Sequence, residues 1–133
     1  MRIYFDENFS HRIAAGMREF QSGRRSEEVE VVWCPDEFGR GAADEDRIPK
    51  VASKKGVILT QDLNIHRTKA QWELCRENKV GVFFFKSPRG GWDYWTIARE
   101  VLNRWEQIKD EAVSSRRPFG RVVELRRKQL KRL

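Results

Sequence analysis

Met1-Arg2-Ile3-Tyr4-Phe5-Asp6-Glu7-Asn8 opens the chain, and Val57-Ile58-Leu59-Thr60-Gln61-Asp62 repeats its logic: an apolar, strand-like run that ends on a carboxylate. Continuous apolar strands alternating with helical segments predict a parallel sheet covered on both faces. In such a sheet ligands sit in the crevice outside the carboxyl ends of the strands. Two strands that each deliver an acid to that edge predict a shared cation site, and a hard metal ion is the usual reason to gather such acids.

The pattern continues outward from these two runs. After the strand over 2–6, Ser10 is a suitable N-cap for a helix whose Ile13, Ala14, Met17 and Phe20 share one face. Residues 22–28 form a polar loop, Val29–Trp33 a second strand, and Pro35–Gly41 a turn-rich segment leading to Ala42-Ala43-Asp44-Glu45-Asp46. Pro49 suits the first turn of a helix running to about Lys55, and Gly56 ends it. The third strand covers 57–61, with a helix over about 68–78 behind it. Val80–Phe85 makes a fourth strand, and a long helix follows over about 93–112 with Ala98, Val101, Leu102, Trp105 and Ile108 on its apolar face. A last strand over 119–125 precedes a basic end. The result is an α/β fold, a three-layer α/β/α sandwich with a mostly parallel central sheet, and one domain over 1–133.

With 133 residues, 39% hydrophobic and 11% aromatic, the chain carries enough apolar material for a core of its own despite 35% charged residues. No apolar run approaches the length of a membrane span and no secretory signal pattern opens the sequence, so the expected compartment is cytoplasmic. Cys34 and Cys75 are unclustered and read as reduced structural thiols. Charge is uneven. Residues 1–66 hold 10 basic and 12 acidic side chains, a sum of −2; the rest hold 17 and 8, a sum of +9. From Arg116 onward, eight Arg or Lys face one acid, Glu124, so the segment 116–133 alone equals the net +7. An acidic site beside a cationic half suits an enzyme acting on a polyanion, although a solubilising tail or a partner-docking segment has the same composition.

Asp6 and Asp62 are expected at adjacent strand ends, with Asp44-Glu45-Asp46 at a helix entry facing the same crevice. Each group taken singly also reads as a turn, a cap or dipole compensation. Together they would repel one another unless a cation intervened. All-oxygen donors favour Mg2+ or Mn2+, which also bridge to phosphate. Zinc is disfavoured because His11 and His66 are the only histidines and neither cysteine pairs with one.

Phe-Asp-Glu-Asn-Phe at 5–9, Ala-Asp-Glu-Asp at 43–46, Val-Ile-Leu-Thr-Gln-Asp at 57–62 and Arg-Arg-Pro-Phe-Gly-Arg-Val at 116–122 resemble the PIN-like domain nucleases, most closely the VapC-type toxin branch. The resemblance implies a metal-dependent endoribonuclease, commonly the toxin of a toxin–antitoxin pair, with an antitoxin protein as partner and RNA as substrate. It implies that Asp6, Asp44 and Asp62 are the metal ligands and catalytic acids, with Glu45 the next candidate. Many such sites carry a further acid soon after the third aspartate. Here Leu63-Asn64-Ile65-His66 offers none, which leaves either a site for a single tightly bound ion or Glu7, Asn64 or a water in that role.

In the implied mechanism the metal lowers the pKa of a bound water and polarises the scissile phosphate. Arg47, Arg67 and Lys86 could meet substrate phosphates or be ordinary solvated charges, and Asn8 could orient Asp6 or only shape the turn. His66 reads as a surface residue. Trp95 and Trp105 read as mostly core, while Trp92, beside Gly90-Gly91, could stack on an unpaired base or pack locally. The aromatic content is compatible with a homodimer. Two other readings use the same residues: a receiver-type phospho-acceptor domain, with Lys86 as its strand-end lysine, and a catalytically silent relative that binds RNA or an antitoxin.

Overall fold

The computed structural model describes residues 1–62, 64–125 and 130–133, and the side chains of Asp62 and Ile65 lie outside that description. The sheet is built from β1 (Arg2–Phe5), β2 (Glu30–Trp33), β3 (Val57–Asp62), β4 (Gly81–Lys86), β5 (Phe119–Val123) and β6 (Lys131–Arg132). Its order is β2-β1-β3-β4-β5-β6, with every pairing parallel except β5 with β6. The helices are α1 (His11–Ser22), α2 (Cys34–Phe38), α3 (Asp44–Ser53), α4 (Ile65–Glu77) and α5 (Tyr94–Ser114), with a 3-10 turn at Arg25–Glu27.

The two-residue period of the strands divides the core into two layers. Ile3, Phe5, Val57, Leu59, Phe83 and Phe85 pack under α1 and α5, against Ile13, Met17, Ile97, Val101 and Trp105. Tyr4, Ile58, Val82 and Phe84 point the other way, onto Cys34 of α2, Ile48 and Val51 of α3 and Cys75 of α4. This is the expected three-layer sandwich. Full burial of each such aliphatic or aromatic side chain contributes about 1.5–3 kcal/mol. Close packing fixes β4 against β5: a Cβ on Gly81 would lie 2.2 Å from the Phe119 ring.

Four boundaries depart from the sequence pattern. Helix α3 begins at Asp44, not Pro49, because Asp44, Glu45 and Asp46 complement the dipole of its first turn while Ile48 and Val51 bury on the sheet. Pro49 therefore sits inside the helix. Helix α4 starts at Ile65, since the Asn64 side chain accepts from the Arg67 amide at 2.8 Å and caps it. The turn-rich segment at 35–41 contains the short helix α2, with Pro35 in its first turn. Residues 131–132 of the basic end pair with β5, while 126–129 lie outside the described residues. Among the described residues no helix is long and apolar enough to cross a membrane.

Candidate functional site

The order in which strands are added reverses about β1: β2 lies on one side of it and β3 on the other. The crevice at this switch point is where a parallel sheet accommodates ligands. Pairing of β1 with β3 extends one residue past β1, since the Asp6 amide donates to the Leu59 carbonyl at 2.9 Å. That register sets Asp6 beside Thr60. The loop after β1 is clamped to β3 by Asn8, whose Nδ2 donates to Thr60 Oγ1 (3.3 Å) and whose carbonyl accepts from Gln61 Nε2 (3.2 Å). Glu7, exposed, accepts from the Gly41 amide at 2.6 Å and ties down the loop before α3.

Asp6 is fully buried. A buried carboxylate is tolerated only with a counter-charge and full hydrogen bonding. Both are supplied from within the chain. Oδ1 accepts from the Glu7 amide and from Arg47 Nη1 at 2.8 Å. Oδ2 accepts from Thr60 Oγ1 at 2.8 Å and Gln71 Nε2 at 3.2 Å. A carboxylate has about four lone-pair positions, and four donors meet this one.

Arg47, 4% exposed, is the cation of the site. Its Nη2 donates to Asp44 Oδ1, three residues earlier on the same helix, so a single guanidinium joins Asp6 to Asp44. Its Nε is buried with no partner among the described residues. Burial works against the charged guanidinium, but the carboxylates of Asp6 and Asp44 reverse that and hold its pKa above the ordinary value. Burial pushes the Asp44 carboxyl above the usual aspartate range; Arg47 opposes this, Asp6 reinforces it, and Arg67 is close enough to lower it. Cys34 and Cys75 are free, buried thiols. Burial raises each to about 12, and both feel the charges of Asp6, Asp44 and Arg47.

The structure thus brings Asp6 and Asp44 to one crevice. Arg47, a candidate for substrate phosphates or an ordinary solvated charge, is buried between them instead: an arginine one helical turn after Asp44 faces inward with it. Glu45 is exposed and does not join the cluster. Asn8 reaches Asp6 only through Thr60. Arg67 and Lys86 are exposed at the carboxyl edge, Lys86 in register with Asp62, whose own side chain is outside the description. Trp105 is core, donating to Gln21 Oε1 at 2.8 Å, but Trp95 is 67% exposed because its position follows the helix cap and precedes the buried stripe that starts at Ile97. Thr60 and Gln71 were not singled out in the sequence. Thr60 was readable, lying one residue past the β3 position that pairs with Phe5 and so beside Asp6, whereas Gln71 sits in a helix with a weak pattern.

Among the described donors, both Asp6 oxygens are met by protein groups, Asp44 Oδ1 meets Arg47, and the guanidinium supplies a positive charge between the two carboxylates. Among the described residues no group of three or more His, Cys, Asp or Glu side chains is arranged to hold a metal ion.

The parallel order, the switch-point crevice and the acids gathered in it define a three-layer α/β/α sandwich with a polar cluster at its switch point. The model of the PIN-like domain matches residues 1–87, from β1 through the end of β4, and the chain belongs to that family. No curated protein and no solved structure matches it. The receiver-type alternative is a different family from the one matched.

Proposed function

We propose that this chain is an RNA-directed PIN-like protein in which the acid set of a ribonuclease is closed by its own Arg47, leaving RNA binding as the activity. One observation carries this reading: Asp6 is buried with four donors on its two oxygens, one of them a guanidinium shared with Asp44. Family membership supports a nucleic-acid ligand, as do the +9 sum over residues 67–133 and the exposed Arg67 and Lys86 at the crevice edge. Descent from the VapC-type toxin branch, a cytoplasmic setting and an antitoxin partner belong to the same proposal. The basic segment 116–133 is the part suited to either polyanion or antitoxin.

A second reading is favoured by the convergence of Asp6 and Asp44 beside the end of β3. In it the chain is a metal-dependent endoribonuclease, with Asp6, Asp44 and Asp62 holding Mg2+ or Mn2+ and Glu45 completing the set. That requires Arg47 to leave its pocket. Labelled single-stranded RNA incubated with the full chain, with Mg2+ and then with EDTA, separates the two. Retention without cleavage in both conditions is the expected result. Cleavage that EDTA stops and Asp62→Asn abolishes would establish the second reading instead.

A further inference from the structure

Resting on the RNA reading above, we infer that Tyr94 and Trp95, with Arg89 and Arg99, form a base-stacking platform for single-stranded RNA at the carboxyl edge of the sheet. Trp95 is 67% exposed and Tyr94 44%, in a protein that buries most of its large apolar residues. Their rings meet edge to face, 5.2 Å apart at 89°, so the pair is held in one arrangement while a face of the indole stays open to solvent.

The platform is joined to the loop after β1 through the layer under α1 and α5, the face of the sheet opposite the one on which Arg47 and Gln71 hold Asp6. The loop after β4 returns onto the strand through Trp92, whose ring lies 6.5 Å from that of Phe85. Phe85 in turn meets Phe9 edge to face at 5.4 Å, and Phe9 directly follows the loop that positions Asp6. Asp93 then caps α5, its carboxylate accepting from the Trp95 amide and the Thr96 hydroxyl. Consequently the exposed pair sits at the amino end of α5, on the same carboxyl edge of the sheet as the crevice.

Charge selects the occupant. Residues 86–99 contain Lys86, Arg89 and Arg99 against Asp93 alone, and Asp93 is committed to the cap. Arg99 is four residues after Trp95, which sets both on one exposed strip of the helix. Aromatic faces beside cations are how proteins hold unpaired bases, with the rings taking bases and the arginines taking phosphates. A neutral apolar face would suit a protein partner better.

The test is binding of single-stranded oligoadenylate by the full chain, followed by anisotropy across a salt series. Trp95→Ala is expected to weaken binding between about 5- and 150-fold, the loss of one stacked base. Its salt dependence and thermal midpoint should match the unmodified chain, and Trp95→Phe should recover most of the affinity. Arg89→Ala is expected to lower the salt slope by about one. If the unmodified chain binds RNA and Trp95→Ala binds it equally well, the platform is wrong while the RNA reading stands. If the unmodified chain binds no RNA, the RNA reading fails and the platform with it. Should Trp95→Ala instead convert a dimer to a monomer with RNA affinity unchanged, the face is a protein interface and the platform is overturned.

Discussion

Arg47 Nη1 lies 2.8 Å from Asp6 Oδ1, across 41 residues of chain, and both side chains are removed from solvent. Removing one member of such a pair leaves an uncompensated buried charge, which typically costs about 3–5 kcal/mol. Arg47→Met should lose stability in that range in urea unfolding. The double variant Asp6→Asn/Arg47→Met should be less destabilised than the sum of its single changes, with a coupling of about 0.5–3 kcal/mol. Strict additivity would mean that the two groups do not act as a pair.

The two thiols share the wall of this cluster, and burial raises each to about 12. Reactivity follows the thiolate fraction and access. Neither Cys34 nor Cys75 should react with a disulfide reagent at pH 8 in the native protein, and both should react after unfolding in urea. Rapid native labelling of either would show that the cluster opens to solvent.

Glu27, held by Lys109, Gln21 and Arg24, has its carboxyl drawn down from 4.5 to about 2. Its folded pKa is below the unfolded one. The stabilisation is therefore complete above about pH 4.5 and disappears as the pH falls towards 2. Glu27→Gln should unfold more easily than the unmodified chain at pH 6 and approach it near pH 2, in urea titrations at stepped pH. A difference that stays constant across this window would mean the contact is not ionic.

At β4, a methyl group on Gly81 would come within 2.2 Å of the Phe119 ring. Gly81→Ala should cost about 1–3 kcal/mol from overpacking. Gly81→Ala/Phe119→Leu should restore part of the loss, measured by thermal unfolding. No recovery in the pair would place the clash elsewhere.

Most of the sheet was readable because its central strands carry apolar runs separated by helical stretches. Ile3–Phe5, Val57–Leu59 and Val82–Phe85 carry that signal without ambiguity. The convergence of Asp6 and Asp44 was readable for the same reason, since strand and helix ends of this sheet share one edge. The identity of the cation was not. No basic residue adjoins Asp6 in sequence, and Arg47 resembled the many solvated arginines of a basic chain. Only the helical turn from Asp44 to Arg47 hinted at a pair, and only packing of α3 against β3 could turn that pair inward. Trp95 shows the converse failure: an aromatic on an amphipathic helix was assigned to the core, but its position lies one turn ahead of the buried stripe.

On the proposed reading, the Arg47 guanidinium supplies the positive charge between Asp6 and Asp44 in place of a divalent cation. Manganese titration of the unmodified chain, followed by the electron paramagnetic resonance of free Mn2+, tests it most directly. The account predicts that the protein removes no stoichiometric Mn2+ from solution at micromolar concentration. One equivalent bound by the unmodified chain, and lost in Asp6→Asn, would contradict it.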